Sequence, residues 1–226
     1  MRTATQAQDS QATILDAAEK TFADYGFEGA SLRRIVQVAD VNLGTVYYHF
    51  ESKVGLLEAV YRRVFGPVHE EQFQGLYHLR EEYQGQPIPL PRILEAMILP
   101  PLRVAATPGR GETIMRLIGR AVTDPNPQRQ ELWRRQHQEV RGAYLNAIHR
   151  SVSHLSQADL WWRFEFVWGA FIFTFCNHSR IANATGGVCN ASDIDALLAQ
   201  MIAVFSAGFH APGIPEKPHG TKPPAA

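Results

Sequence analysis

"LGTVYYHFESK", residues 43–53, sets two tyrosines, a histidine and a phenylalanine in a row, with Gly-Thr before them and Ser-Lys after. A core helix does not ordinarily carry Tyr47, Tyr48 and His49 side by side, so the run asks for a surface that uses polar-tipped aromatics. The stretch upstream, "SLRRIVQVADVN" (31–42), reads as a short helix ending near Ala39 and a turn at "DVN". Asn42 is then placed to cap a second short helix over about 43–49. Ile35, Val36, Val41 and Val46 can face inward and lock the two together. Two short helices with so tight a join make the pattern of a helix-turn-helix, whose second helix enters the DNA major groove.

The groove gives the opening run a chemistry. Leu43, Gly44 and Thr45 let backbone approach the bases, and Thr45 adds a hydroxyl for base or phosphate and a methyl for thymine. Tyr47, Tyr48 and His49 are long enough to reach flanking phosphates and sugars, contacts that fix register without reading sequence. His49 fits a buried, hydrogen-bonded position as well, and both readings stay open. Phe50 turns back into the core. Lys53 starts the next helix, where its ammonium can join free backbone N–H groups around one phosphate. Residues 31–63 hold five basic and three acidic side chains, whereas 1–66 hold seven and eight. Basic charge is thus concentrated, modestly, where the reading head is expected.

The longer stretch "GFEGASLRRIVQVADVNLGTVYYHFESKVGLL" (26–57) resembles the DNA-binding domain of the tetracycline-repressor (TetR) family. The "GTVYYHFESK" core with its spaced Leu-Leu carries the likeness, over about 55 N-terminal residues. The resemblance implies a homodimer on a two-fold symmetric operator of double-stranded DNA, repressing transcription and released when a small molecule enters the C-terminal domain. It also implies Ser31, Arg33, Arg34, Leu43, Gly44, Thr45, Tyr47, Tyr48, His49 and Lys53 as DNA-facing positions. Three residues depart from the family pattern. Asp40 stands where glycine is usual in the turn, Asn42 replaces Ser or Thr, and Val54 replaces an acidic residue. Asp can take the left-handed conformation at some cost, and Asn still caps.

Around this head the chain reads as all-α. It has 226 residues, 45% hydrophobic and 19% charged, with formal net charge zero, enough for one or two domains with a real core. Period 3.6 recurs and period two does not. A first helix is expected over about Ser10–Tyr25, capped by Asp9 or Ser10 and stopped at Gly26, and a fourth from Ser52 to about Gly66-Pro67. Residues 1–66 would then form the DNA-binding domain, the first three helices making the helix-turn-helix unit. Residues 67–210 would form a helical bundle for effector binding and dimerisation, with helices near 69–83, 91–106, 110–122 and 127–151. Ser156 with Asp159, and Ser192 with Asp195, give capping-box spacings for two more. Residues 211–226, rich in proline, read as a disordered tail.

Two cysteines without ligand spacing suit a reduced, cytoplasmic protein. The polar N-terminus lacks a signal-peptide core, and the most apolar run, 160–176, carries Arg163 and Glu165, so no membrane association is expected. That run is apolar around most of its circumference. An interface accounts for it better than a monomer core does: two helices from each subunit in a four-helix bundle, using Trp161, Phe164, Trp168, Ile172, Leu198 and Phe205. An effector pocket is expected between the 91–106, 110–122 and 127–151 helices, lined by Met97, Met115, Ile118, Trp133, His137, Tyr144 and Phe171. Plain core is the competing reading of those residues. Such a lining favours a hydrophobic or amphipathic ligand. The texture of this half faintly resembles the fatty-acid-responsive branch of the family. His137, His149, His154 and His178 lack the spacing of a metal site. No nucleophile motif or phosphate loop is present, so neither an enzyme nor a cofactor is expected. A ligand-independent architectural protein is the remaining alternative.

Overall fold

Three side-chain caps divide the beginning of the chain into helices. Ser31 Oγ accepts from the Arg34 N–H at 3.1 Å, Asn42 Oδ1 from Thr45 at 2.9 Å, and Ser52 Oγ from Gly55 at 3.0 Å. The computed structural model describes residues 4–176 and 178–215, and among them there are ten helices and no strand. The caps open α2 (Leu32–Ala39), α3 (Leu43–Phe50) and α4 (Lys53–Tyr83). Asp40 adopts the left-handed conformation, with φ of 51°, and its N–H bonds the Val36 carbonyl. That closes α2 and lets Ile35 and Val46 bury completely against each other's helix.

The first helix, α1 (Ala4–Gly29), starts earlier than the caps suggested. Asp9 and Ser10 lie inside it, because the Gln- and Ala-rich residues before them carry good helix propensity. Gly26 breaks it as expected, with φ of 67°, and one further turn follows. Proline does not divide α4. This 31-residue helix runs straight on through Pro67. Gly66 removes the Cβ that would clash with the proline ring, and Val64, Phe65, Val68, Gln72 and Leu76 bury on both sides of the join. The expected boundary at 66/67 therefore falls inside a helix, and one hydrophobic core extends from Ile14 to Phe209.

The remaining helices are α5 (Leu90–Ala105), α6 (Arg110–Val122), α7 (Pro127–Ser151), α8 (Gln157–Cys176), α9 (His178–Ala184) and α10 (Ile194–His210). Asn126 caps α7 with Pro127 at the first helical position. Ser156 and Asp159 close the expected box, the Asp159 N–H meeting Ser156 Oγ at 3.1 Å. For α10 the cap is Asp193, which accepts from Ala196, rather than Ser192. The short α9 follows α8 in a stretch for which the sequence reading named no element. Residues 211–215 are held: Arg163 donates to the carbonyls of Gly208, Phe209, Ala211 and Pro212. The rest of the proposed tail, 216–226, lies outside the described residues. Among the described residues no helix is long and apolar enough to cross a membrane.

Candidate nucleic-acid interface and internal cavity

The α2–α3 unit presents one exposed face. Ser31, Arg33, Arg34, Leu43, Gly44, Tyr47 and Tyr48 are exposed on it, Tyr48 the most at 80%. Arg34 stacks its guanidinium over Tyr25 of α1, 4.0 Å from the ring centroid. Two residues expected on this face are turned away. Thr45 is only 7% exposed, and its hydroxyl donates to Asn42 Oδ1 at 3.1 Å. Its hydroxyl supports the helix start, and position 45 shares the inward side of α3 with Val46. His49 is half-buried, with Nε2 3.2 Å from Ser10 Oγ and its ring against Tyr48 and Phe50. It sits between α3 and α1, the place its ambiguous sequence context left open.

Lys53 is half-buried at the first position of α4. Its ammonium packs on Phe27 at 4.3 Å from the ring centroid, and the same ring receives Arg129 of α7 at 4.5 Å. Burial lowers the Lys53 pKa, and Arg129 lowers it further, while Glu28 opposes both. Arg129 is fixed by Asp124 through two contacts, at 2.5 and 3.0 Å, and by Glu28 at 2.9 Å. Burial raises the Asp124 pKa, but these hydrogen bonds and the Asn126 N–H leave it lowered overall. Along α6, Arg110 pairs with Glu19 and Arg116 with Asp24, while Arg120 grips the end of α1. The head is thus anchored to α6 and α7 by arginine contacts that the sequence did not reveal, since each of those reaching α1 joins residues far apart in the chain. An open groove of about 610 Å³ lies over Phe22, Phe27 and Pro125, and the arginines on its walls are taken by these contacts.

A second, more enclosed space of about 140 Å³ lies among α4, α5, α6, α7 and α8. Six of the seven proposed lining residues meet there: Met97, Ile118, Trp133, His137, Tyr144 and Phe171. Met115 is buried elsewhere, its carbonyl 3.4 Å from the Cys176 thiol. The sequence places the pocket between the 91–106, 110–122 and 127–151 helices; α4 adds a further wall, with Phe65, Val68, His69 and Gln72. His69 Nε2 and His137 Nδ1 are 2.9 Å apart. Burial lowers both rings, to about 4 for His69 and about 3 for His137, where His69 and Arg141 add to the effect. Gln72 donates to the Met97 carbonyl and Tyr144 to the Gln72 carbonyl, each at 2.7 Å. Among the described residues no group of three or more His, Cys, Asp or Glu could hold a metal ion, and the His178 side chain lies outside them.

The residues assigned to a dimer interface divide. Phe164, Trp168 and Ile172 line the cavity, and Leu198 is buried in the chain's own core. Phe205 is half-buried against that core, and Trp161 is 42% exposed beside Arg141. Because α8 is apolar on nearly every side, its sequence could not distinguish the inward face from the outward one. The outward face carries Trp162 and Phe166, 65% and 60% exposed, and α10 adds Val204 at 62%.

The profile described as "Bacterial regulatory proteins, tetR family" matches residues 14–60, and "Tetracyclin repressor-like, C-terminal domain" matches residues 95–208. The chain belongs to the tetR family. This is a family of transcriptional regulators, not enzymes. The tetR chain is 33% identical over 81 residues to the HTH-type transcriptional regulator UidR of Escherichia coli, which covers 36% of this chain and 38% of UidR. It is 31% identical over 117 residues to the HTH-type transcriptional repressor BepR of Brucella suis, 52% of this chain and 53% of BepR. Neither match reaches two thirds of the relative's length. In fold the chain is similar to the regulator FadR of Bacillus subtilis, solved with stearoyl-CoA, at a TM-score of 0.56 and 16% identity over 87% of this chain and 98% of that one.

Proposed function

We propose that this tetR-family chain binds a two-fold symmetric operator as a cytoplasmic homodimer, represses transcription, and lets go when a small hydrophobic or amphipathic effector enters the cavity. The observation that carries this reading is α4. Lys53 begins it beside the reading helix, and Phe65, His69 and Gln72 of the same unbroken helix wall the cavity. A ligand that pushes on the middle of α4 moves its start. Ser31, Arg33, Arg34, Leu43, Gly44, Tyr47, Tyr48 and Lys53 form the DNA-facing set, with Tyr48 and Lys53 on backbone phosphates. Ser31 also caps α2, so its hydroxyl serves both roles. Trp162, Phe166 and Val204 support the two-fold contact as an exposed apolar face on α8 and α10, the helices expected to build it.

Repression would be relieved by population shift: the effector stabilises a separation of the two heads that no longer matches major grooves about 34–36 Å apart. A selection of bound sites from random DNA tests the reading directly. It is expected to return inverted repeats, and titration of small apolar ligands into the complex is expected to free the DNA. Asymmetric sites, or a complex indifferent to every ligand that enters the cavity, would favour a ligand-independent architectural role instead.

A further inference from the structure

The cavity is small, mostly apolar and rich in aromatic rings. Phe65, Trp133, Tyr144, Phe164, Trp168 and Phe171 contribute to its wall, and its volume is about 140 Å³. An apolar cavity of roughly 150 Å³ holds a benzene ring. A long acyl chain is therefore a poor fit for the space, while a single ring fills it.

The polar groups of the wall are mostly spent. Gln72 Nε2 donates to the Met97 carbonyl and the Tyr144 hydroxyl to the Gln72 carbonyl. The His69–His137 pair uses one nitrogen of each ring. Among the described residues, His137 is the side chain on this wall with a buried polar atom, Nε2, that lacks a hydrogen-bond partner. A buried polar atom in that condition is costly, so it marks a place where a ligand atom gains by arriving. Its role depends on the shared proton. If His69 donates to His137 Nδ1, the neutral His137 ring carries its own hydrogen on Nε2 and is a donor. If His137 Nδ1 donates, Nε2 is a bare acceptor. A hydroxyl satisfies either arrangement, because it both donates and accepts. Arg141 also lines the space, but so does Glu165, and the two charges give an anionic ligand no net advantage.

Resting on the reading of this cavity as the effector site, we propose that its ligand class is a small, uncharged aromatic alcohol of the phenol type, its ring among the aromatic side chains and its hydroxyl on His137 Nε2. The proposal separates ligands that otherwise look alike. A purely apolar cavity prefers toluene to phenol, since phenol leaves water less readily; a cavity with an unpartnered histidine nitrogen in its wall reverses the order.

Equilibrium binding of phenol, toluene, benzoate and decanoate to the full chain, followed by calorimetry, tests this. Phenol is expected to bind about tenfold more tightly than toluene, as one well-made hydrogen bond would give. His137→Phe is expected to abolish that preference and keep toluene binding, which also reports that the variant is folded. Independently of any variant, ¹⁵N spectra of the histidine rings should show the His137 Nε2 signal move with phenol and not with toluene. Toluene binding as tightly as phenol, or an unmoved Nε2 signal, overturns the histidine anchor but leaves an effector cavity. Tighter binding of benzoate or decanoate overturns the neutral-ring class in the same way. No binding of any of the four at millimolar concentration removes the effector reading itself, and the proposal with it.

Discussion

Arg120 Nε donates to the backbone oxygen of Ala23 at 2.7 Å, and its Nη2 reaches the Asp24 oxygen at 2.6 Å. Both acceptors are carbonyls left without helical partners where Gly26 interrupts α1. A guanidinium on α6 thereby ends a helix of the DNA-reading head. Arg120→Ala is expected to lower stability by about 1–2 kcal/mol, the partly exposed site discounting the usual value of a charged hydrogen bond. Arg120→Lys should restore less than half, because one ammonium cannot hold two carbonyls in fixed geometry. Urea denaturation of the three proteins measures this; equal midpoints would mean that the contact contributes nothing.

The exposed face of α3 makes a prediction about DNA. Tyr48→Ala and Lys53→Ala should each weaken binding to every sequence by a similar factor, and Lys53→Ala should also flatten the salt dependence by about one unit of slope. Thr45→Val is expected to leave sequence preference unchanged, since the hydroxyl is used on Asn42. Fluorescence anisotropy with matched and mismatched operators at several salt concentrations distinguishes these. A shifted preference in Thr45→Val would put that residue back on the bases.

Acid should destabilise the fold through the cavity. Half-buried His69 and His137 have folded values of about 4 and about 3 against an ordinary 6.5. Both rings stay neutral in the native chain, while the unfolded chain takes up protons as pH falls through 6.5. Stability is therefore complete above that value and declines toward pH 4, by at most ~1.4 kcal/mol per pH unit for each ring, less for the more exposed His69. Unfolding free energies at pH 7.5 and 5.5 should differ more in the parent than in His137→Phe. An equal pH response in both would show that the pair is not held neutral.

Association should depend on the outward side of α8. Trp162→Glu or Phe166→Glu is expected to give a monomer at micromolar concentration in equilibrium sedimentation, while the cavity-facing Phe164→Leu keeps the dimer and costs about 1–2 kcal/mol of stability. A parent protein that is itself monomeric would refute the interface.

What could be read from the sequence was what local chemistry encodes. Ser31, Asn42 and Ser52 each cap the residue three positions on, and Asp40 makes the turn between them, so the helix-turn-helix was legible within some twenty residues. The aromatic and methionine periodicity pointed, for the same reason, to part of the cavity wall: Met97, Ile118, Trp133, His137, Tyr144 and Phe171. The misses share another cause. His69 meets His137 across 68 positions, and Arg120 meets Ala23 across 97. No spacing rule reaches that far. The inward and outward faces of α8 could not be told apart because both are apolar, and α4 was cut short because tertiary packing overrode the proline at 67.

That uncut helix limits how such a protein could be rebuilt. Exchanging reading heads between relatives at the apparent 66/67 border would place the graft inside a continuous rod. One residue too many there would rotate the head by about 100° relative to the bundle and move it ~1.5 Å along the axis. A working hybrid must therefore preserve helical phase through Pro67, so the register of this single helix, more than the identity of either half, decides which heads and bundles can be joined.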